Sequence, residues 1–463
     1  MDQLRPWYWR SQPLHDRTGA AIFAQLFREH DIATLLESPP ASQRRYSICA
    51  GGPRLIAGRP QLWTPNVGQV FDMLRNRQQQ PEPDSSLAPR TLPFIGGWLG
   101  WLGYDVAGEI ERLPSVKQDS LPFPVAYWYE PENFAVLDHH QQQLWLAVSE
   151  ASQLDLLEQQ LQTPYEAEAL NGSLLQETTL LTPQAEYEQM VRQAQQHIEA
   201  GDIFQANLST RFVAEAELDP WALYCHLHRI NPSPFASYWQ TPWGTVVSCS
   251  PERLVQLEGR RAQVRPIAGT RARGKTTALD QGLAHELSTN TKEQAEHIML
   301  VDLERNDLGR VCQWGSVEVD ELLSIEYYSH VMHLVSNVVG TLAPQRTVID
   351  LMQSVFPGGT ITGCPKVRCM EIIEQLEPFR RNLFYGSCGY LDYRGNLDLN
   401  ILIRTLLVVP EPEQPHSKQQ HVKIWGQVGA GIVADSDPRQ EWQESLQKAQ
   451  APLAALQQII GRQ

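Results

Sequence analysis

The chain has 463 residues, 42% of them hydrophobic and 20% charged, which is typical of a globular protein that buries a sizeable core. Its formal net charge of −15 argues against nucleic acid or an anionic membrane surface as the main partner. No stretch approaches the roughly 18 to 20 apolar residues that cross a bilayer, and the first residues lack the apolar run of a signal peptide, so we expect a cytoplasmic protein.

Three polar stretches rich in Pro and Gln interrupt the sequence at 77–90, 158–183 and 410–420. The middle stretch divides the chain most plausibly, into an N-terminal lobe over 1–165 and a catalytic region over 183–460. In the first lobe, FIGGWLGWLGY and QQQLWLAVSE predict strands broken by glycine turns. That half offers no convincing catalytic cluster.

The catalytic region begins with a predicted helix, because apolar residues recur at Met190, Val191, Ala194 and Ile198 before Gly201 ends the run. Strands and helices then follow without regular βαβ alternation, which predicts an α+β fold with two lobes and largely antiparallel sheets flanked by helices. The later strands are predicted at TVVSCS, NLFYGSCGYLDY, LNILIRTLLVV and KIWGQVGAGIVA, and the later helices at 292–306, 366–377 and 441–460.

Carboxylates on two of these helices form a candidate metal site. Glu441, Glu444 and Lys448 share a helix face, since offsets of three and seven residues keep them within roughly 60° of each other. Glu296 precedes the apolar run of the earlier helix. Oxygen donors without a His or Cys cluster suit Mg²⁺ better than zinc. The alternative for each acidic group is a solvated charged face.

Glu252 is a candidate acid. It follows Pro251 at a strand kink and is expected to neighbour the turn at 266–270 in a hairpin. A carboxyl buried there has a raised pKa and can protonate a leaving hydroxyl. The alternative is a salt bridge to Arg253 or Arg265.

Two features predict anion binding. Arg404 lies in a predicted strand too apolar to face water, and a buried arginine requires an anionic partner, which is either structural or a substrate carboxylate. QVGAGIVADSDP predicts a strand that ends in a Gly-Ala-Gly turn at 429–431, where backbone N–H groups are open to a carboxylate. The alternative is a tight turn that only needs glycine for its backbone angles.

Longer segments resemble a known family. From about residue 186 to 456 the chain resembles the chorismate-utilising enzymes, in particular the synthase subunits of aminodeoxychorismate synthase and anthranilate synthase. The N-terminal half agrees more loosely through LLES at 35–38, RRYS at 44–47 and GWLGYD at 100–105. In order, the matching segments are SPER, RPIAGTRARG, AEHIMLVDLERNDLGRV, VMHLVS, FPGGTITGCPKVRCMEIIEQLEP, YGSCGY, ILIRT and GAGIVADSDPRQEWQESLQKA.

The resemblance implies roles for individual residues of a Mg²⁺-dependent enzyme acting on chorismate. Glu296 and Glu444 are similar to the family's Mg²⁺ ligands, with Glu441 nearby and acting through water. Glu252 matches the acid that helps the C4 hydroxyl to leave, and His333 is a further catalytic candidate that lines the ring pocket. The implied substrate-binding groups are Arg404, Lys448, Tyr385, Gly269, Thr360 and the N–H groups of Gly429 and Gly431.

Gln205 bears on the nucleophile. Family members that add water to the ring carry a lysine base at this position, so the resemblance favours ammonia over water. Because the sequence shows no glutaminase motif of its own, a separate glutamine amidotransferase subunit is implied.

Two positions bear on the product. Ala268 in PIAGT matches anthranilate synthase, whereas many aminodeoxychorismate synthases carry a lysine there. Thr362 in GGTITGCPK, together with LDLNILIRT, is similar to the aminodeoxychorismate synthases that lack this lysine. The sequence hypothesis is therefore 4-amino-4-deoxychorismate, a folate precursor, with the Thr362 hydroxyl as nucleophile at C2 or as the group that steers amination to C4. The alternatives are anthranilate synthase component I and, from another class, a non-catalytic tryptophan-binding amidotransferase partner.

LLES and NPSPF resemble the family's tryptophan site and single out Ser38, Pro234 and Phe235. Core packing is the alternative account of Leu35 and Leu36.

Overall fold

The computed structural model describes residues 6–38, 45–80, 88–114, 117–163, 172–327, 331–411 and 420–460. Parts of the three predicted polar stretches and Arg44 of RRYS lie outside this range. The helices within it are α1 Gly19–Leu26, α2 Val70–Gln78, α3 Ala107–Ile110, α4 Ser152–Gln162, α5 Gln184–Glu199, α6 Pro220–Ile230, α7 Thr277–Thr289, α8 Thr291–Gly309, α9 Val348–Val355, α10 Lys366–Leu376 and α11 Pro438–Ile460, with 3-10 turns at Tyr104–Val106 and Gly359–Ile361.

The strands are, in chain order, β1 Tyr8–Pro13, β2 Ala33–Glu37, β3 Tyr46–Ala50, β4 Leu55–Ile56, β5 Arg59–Pro60, β6 Leu62–Trp63, β7 Gly97–Leu102, β8 Ala126–Tyr129, β9 Asn133–Asp138, β10 Gln143–Val148, β11 Ser173–Leu180, β12 Gln205–Leu218, β13 Phe235–Thr241, β14 Gly244–Ser250, β15 Arg253–Glu258, β16 Arg261–Val264, β17 Ile267–Ala272, β18 Glu318–Tyr327, β19 Val331–Thr341, β20 Gly363–Cys364, β21 Ser387–Asp392, β22 Leu397–Asn400, β23 Thr405–Pro410 and β24 Gln420–Ile432.

Two large sheets organise the described part of the chain. The first has the order β1-β10-β9-β3-β2-β13-β14-β23-β24-β12-β11, with β20 beside β12. The second has the order β17-β19-β16-β15-β22-β21-β7-β8-β6, with β18 beside β19. Neighbouring strands pair antiparallel, for example β12 with β24 and β15 with β16. The predicted α+β class with antiparallel sheets is confirmed.

The core has two layers. Residues of both sheets, such as Trp239 and Leu407 of the first and Trp101 and Leu399 of the second, pack in one cluster between the sheets. A second cluster joins the outer face of the first sheet to α1, α4, α6 and α11. No helix in the described residues is long and apolar enough to cross a bilayer.

The predicted boundary between the segments 1–165 and 183–460 does not separate the sheets. Strands β2 and β13, from the two segments, pair in the first sheet, and β7 and β21 pair in the second. The polar stretch at 158–183 also contains the end of α4 and strand β11, with residues 164–171 outside the described range.

Most predicted elements near the candidate site are confirmed, including α5, α8, α10, α11, β14 and β24. The single strand predicted over LNILIRTLLVV is wrong, because the chain leaves extended geometry at 401–404, between β22 and β23. Arg404 there adopts a left-handed backbone with φ of 53°. Such a φ ends a strand because it turns the chain away from the extended direction.

Candidate active site

Gly429 lies inside β24, opposite Ser209 of β12. The predicted turn at this position is wrong. The N–H of Ser209 donates to the Glu377 carboxylate at 2.8 Å, so it is not bonded to β24. In an antiparallel ladder the backbone groups of such a non-bonded pair point away from each other. The Gly429 carbonyl accordingly faces the other edge, where it accepts a hydrogen bond from Lys448 Nζ at 3.0 Å.

Gly431 repeats this geometry two residues further along. It lies opposite Asn207, whose N–H donates to the carbonyl of Thr362 at 2.9 Å. Since β23 pairs with β24 only as far as Gly426, the N–H groups of Gly429 and Gly431 face an edge that no strand of the described residues covers. A Cβ on Gly431 would come within 2.3 Å of Gln205 Nε2, which accounts for glycine there. An open edge with two N–H groups suits an anion.

Arg404 lies at this open edge because the chain bends out of the sheet just before β23. Burial lowers the pKa of its guanidinium. Its Nη1 donates to the carbonyl of Lys448 at 2.9 Å, and no carboxylate of the described residues forms an ion pair with it. A buried cation without an anionic partner is costly in the free protein. The predicted need for an anion is therefore not met by any described side chain.

Lys448 is the second cation of the edge. Its ammonium group reaches Gly429 from one side and pairs with Glu444 Oε1 at 2.8 Å, one helical turn away on α11. The side chains of Lys448 and Glu444 are 35% and 51% exposed, so this ion pair lies on the solvent side of the site and not in its buried part.

Glu252 is the buried acid of the site, at the start of β15. Burial raises its pKa to about 7, against the opposing influence of the Thr360 hydroxyl and the Lys448 ammonium. The alternative of a salt bridge is excluded, because Arg253 pairs with Asp398 at 3.0 Å and Arg265 with Glu321 at 2.7 Å. A carboxyl with this pKa is about half protonated at neutral pH, whereas an ordinary glutamate is ionised, and its protonated form is able to donate the proton.

His333 lies on β19, where it neighbours the bulge of β17 at Gly269. Its Nδ1 is 2.9 Å from the Thr270 hydroxyl, and Gly269 has a φ of 64°, which permits the bulge. Burial lowers the pKa of His333 to about 4, and the nearby Arg404 lowers it further. The imidazole is therefore neutral near pH 7, so it can donate or accept a hydrogen bond but carries no positive charge.

Several buried polar atoms around the pocket have no hydrogen-bond partner of normal geometry within the described residues. Such atoms are rare in folded proteins and mark sites completed by water or ligand. They are Gln205 Oε1 and Asn207 Oδ1, together with Thr360 Oγ1 and the Tyr385 hydroxyl, whose contacts with Glu252 and Ser209 fall short of normal hydrogen-bond geometry.

Of the predicted metal ligands, Glu296 lies on α8, Glu441 and Glu444 lie on α11, and Glu441 is close enough to Glu296 to influence its pKa. Burial raises the pKa of Glu296 to about 7, and the nearby carboxylates of Glu293, Asp435 and Glu441 raise it further. Burial also raises the pKa of Glu441, and the nearby Glu444 carboxylate adds to that rise.

Lys292 is the counter-charge of this acidic cluster, 3.0 Å from Asp435 and 4.0 Å from Glu296. Among the described residues no three acidic, His or Cys side chains converge tightly enough to hold an ion by themselves. The chemistry of the donors nevertheless fits Mg²⁺, because a divalent cation would relieve the repulsion between carboxylates from two helices. The Mg²⁺ assignment stays a prediction.

Thr362 is fully buried after the 3-10 turn Gly359–Ile361. Its hydroxyl donates to the carbonyl oxygens of Gly358 at 2.8 Å and Gly359 at 3.3 Å. A role as nucleophile requires the hydroxyl to leave both carbonyls. The nucleophile stays a prediction, and this geometry favours Thr362 as a brace of the turn that carries Thr360.

Comparison with known proteins decides the family. The sequence pattern described as "chorismate binding enzyme" matches residues 32–454. This chain is a chorismate-binding enzyme. An anthranilate synthase component I-like protein of Synechocystis is 60% identical over 466 residues, covering 98% of this chain and 93% of that protein. Aminodeoxychorismate synthase component 1 of Bacillus subtilis is 43% identical, covering 99% and 98%.

A solved structure agrees with this chorismate-binding fold. Anthranilate synthase component I from Streptococcus pneumoniae superposes with a TM-score of 0.75 at 30% identity, covering 89% of this chain and 93% of that one. Relatives named for either product thus match nearly full length, so family membership alone does not fix the product.

Sequence reasoning missed one acidic residue of this chorismate-binding enzyme, Glu304 of α8. It is buried, and burial together with the neighbouring Asp307 carboxylate raises its pKa. It lies beneath the turn that carries Thr360, because a Cβ on Gly359 would come within 3.3 Å of its Oε1. The sequence position of Glu304 could have identified it. Glu304 lies three residues after Val301 and four before Leu308, so its carboxylate is on the apolar face of the helix, where a charged side chain is unexpected.

Two of the three residues predicted to bind tryptophan line a separate cavity of about 880 Å³, between the two sheets. Pro234 and Phe235 line it. Ser38 is buried behind them and donates its hydroxyl to the carbonyl of Pro234 at 3.4 Å. The volume suits a small ligand. Tryptophan binding stays a prediction.

Proposed function

We propose that this enzyme aminates chorismate to 4-amino-4-deoxychorismate with ammonia from a glutamine amidotransferase subunit. The observation that carries the proposal is Arg404, a buried guanidinium without a carboxylate partner among the described residues, beside two strand N–H groups that face an open edge. A substrate with two carboxylates supplies the missing negative charge.

Arg404, Lys448 and the N–H groups of Gly429 and Gly431 bind and orient the substrate carboxylates. Bidentate guanidinium contacts fix a carboxylate more firmly than a single point charge. Glu296, Glu444 and Glu441 would hold Mg²⁺, which when bound supplies positive charge to the ring carboxylate. In the proposed complex these contacts orient the chorismate ring toward Tyr385 and His333.

Glu252 donates its proton to the C4 hydroxyl. The C4–O bond breaks and the hydroxyl leaves as water, ammonia forms the new C–N bond at C4, and the extra proton of the resulting ammonium group returns to the Glu252 carboxylate. The raised pKa of Glu252 supports this role, because an ordinary glutamate is ionised at neutral pH. Bound substrate carboxylates add negative charge nearby and keep the proton on Glu252.

Gln205 supports ammonia rather than water as the nucleophile, because its amide cannot act as the base that water requires. Its Nε2 lies against Gly431, at the floor of the open edge. Ammonia needs no such activation. The partner's task is therefore to deliver ammonia from glutamine.

The deciding experiment is incubation of the enzyme with chorismate, Mg²⁺ and an ammonium salt at alkaline pH, followed by mass analysis. The proposal predicts a product that keeps the enolpyruvyl group. Addition of a glutamine amidotransferase subunit should allow glutamine to replace ammonium. Unchanged chorismate under both conditions would refute the proposal and favour a non-catalytic partner.

Two observations favour a second candidate product, anthranilate. Ala268 occupies the position of the lysine of many aminodeoxychorismate synthases, and the 60% identical relative carries the name anthranilate synthase component I-like. Released pyruvate together with fluorescent anthranilate would establish anthranilate synthase instead.

Thr362→Ala separates the two accounts of Thr362. If the hydroxyl attacks C2, the variant should lose product formation by orders of magnitude while staying folded. If it braces the turn, we expect about a 1 kcal/mol loss of stability from the missing hydrogen bonds and only a modest loss of kcat. Thr362→Ser, which keeps the hydroxyl, is the matched control for both measurements.

A further inference from the structure

Arg381 is a second buried arginine near the site and has no role in the steps above. Only 2% of it is exposed. It forms a two-pronged ion pair with Glu377, with Nε–Oε2 at 2.9 Å and Nη2–Oε1 at 2.7 Å. The rings of Tyr104 and Tyr385 each lie 4.6 Å from its guanidinium carbon. A buried pair of this kind is costly unless its remaining N–H groups are bonded.

Two of the three remaining N–H groups bond to backbone carbonyls that border the site. Nη1 donates to Ile361 at 2.8 Å and Nη2 to Asn207 at 2.7 Å. Ile361 belongs to the turn that holds Thr360 beside Glu252. Asn207 lies opposite Gly431 on the anion-binding edge.

Glu377 extends the same network to the other glycine. Its Oε1 accepts hydrogen bonds from the N–H of Ser209 at 2.8 Å and from the Ser209 hydroxyl at 2.7 Å. Ser209 lies opposite Gly429. The Arg381–Glu377 pair therefore contacts the backbone behind both glycines, the turn beside the acid, and the ring of Tyr385.

We infer that Arg381 is a positioning residue: with Glu377 it fixes the distance between the Glu252 acid and the edge that binds the substrate carboxylates. Arg381 reaches the pocket only through other residues. Its planar guanidinium sets the geometry because it bonds in four directions at once, which a lysine ammonium on a flexible stem cannot reproduce. A displacement of about 1 Å between acid and anchored substrate is sufficient to cost about 100-fold in rate.

This inference rests on the proposed function, and its test is Arg381→Lys assayed with chorismate, Mg²⁺ and ammonium salt. We expect kcat to fall about 100-fold while the chorismate KM changes less than about threefold, because carboxylate binding survives and the acid is misplaced. The thermal unfolding midpoint is measured in parallel.

Arg211→Lys is the matched control. Arg211 is equally buried, and its guanidinium carbon lies 5.4 and 5.5 Å from the rings of Phe379 and Phe384. Its Nε donates to Gln427 at 3.0 Å, and Gln427 in turn donates to the Ser209 hydroxyl at 2.7 Å, so Arg211 reaches the network indirectly, through Gln427 and Ser209. It does not bond the turn at Thr360. Arg211→Lys should lower the unfolding midpoint by a similar amount and leave kcat near the wild-type value.

Parallel losses of kcat in both variants, or an unchanged kcat in Arg381→Lys, would overturn the positioning role. If Arg381→Lys does not fold, Glu377→Asp is the second variant. It removes one methylene from the side chain, withdraws the carboxylate from Arg381 and should give the same selective loss of kcat. Chorismate consumption by the wild-type enzyme is measured first, since its absence refutes the proposed function itself and not the network.

Discussion

At the scale of single residues, the site is built from buried charges that are left unpaired. Arg404 is a buried cation without a carboxylate among the described residues, and Glu252 is a buried acid without a cation in an ion pair. Pairing such groups would stabilise the free protein but would also neutralise the groups that recognise substrate. The free protein is therefore less stable than it would be with these groups paired, as is typical of groups that bind a ligand.

Glu252→Gln should make the protein less sensitive to pH. The wild-type carboxyl has a pKa of about 7 in place of 4.5, so the folded state binds its proton more tightly and stability falls as pH rises from 4.5 through 7. At about 1.4 kcal/mol per pH unit the full effect is about 3 kcal/mol. The difference in urea midpoint between variant and wild type should grow from pH 5 to pH 8 and then level off. Glu258→Gln, at an exposed glutamate, is the control. If its urea midpoint shows the same pH dependence as that of Glu252→Gln, the raised pKa of Glu252 is contradicted.

Arg404→Met should separate stability from binding. Removal of an unpaired buried cation should leave the substrate-free protein at least as stable as wild type. Loss of the charge pair with the substrate should raise the chorismate KM at least about 30-fold, or about 2 kcal/mol. Arg404→Lys keeps the charge, so its chorismate KM should lie between those of the wild type and Arg404→Met. A destabilised Arg404→Met with an unchanged KM would show that Arg404 serves the fold alone.

At the scale of elements, the decisive feature is the unequal length of two neighbouring strands. β24 continues to Ile432, whereas β23 pairs with it only as far as Gly426 because the chain turns at Arg404. The turn frees the edge of β24 and places the guanidinium there. One local departure from extended geometry thus creates both halves of the anion site.

Alanine substitutions of the two edge glycines should differ in cost. A Cβ on Gly429 would lie 2.2 Å from the carbonyl oxygen of Leu208, a backbone atom that can move only with its strand. A Cβ on Gly431 would meet the end of the Gln205 side chain, which can rotate away. Gly429→Ala should therefore cost roughly 1 to 3 kcal/mol and lower the urea midpoint more than Gly431→Ala does. Equal losses would indicate that the edge moves as a whole.

At the scale of the whole molecule, each large sheet combines strands from both halves of the chain. β2 pairs with β13 and β7 with β21, and the apolar cluster between the sheets draws on both halves. The N-terminal half therefore completes the sheets on which the candidate site residues lie.

A fragment over 183–460 should not fold on its own, because it would expose two unpaired strand edges and much of the core between the sheets. Expressed alone it should aggregate, and co-expression with 1–165 should restore soluble protein and chorismate consumption. A soluble, active fragment would show that the catalytic region is an independent domain. Size-exclusion chromatography and the ammonium assay distinguish the outcomes.

The sequence by itself determined the elements and the chemical groups. Apolar spacing located α5, helices α8, α10 and α11 were also predicted from the sequence, and the residue types at Glu252, Glu296 and Arg404 indicated an acid, a cation site and an anion site. Local patterns suffice for this because helix and strand periods are properties of short segments.

Only the tertiary structure decided how these groups are used. The break at Arg404, the extended glycines of β24, the buried hydroxyl of Thr362 and the network of Arg381 were not predicted. Each depends on partners far away in sequence, as in the contact between Arg381 and Asn207, and such partners are set by strand order and register. A short pattern does not encode strand order, because pairing is decided by which faces and edges the whole chain buries together.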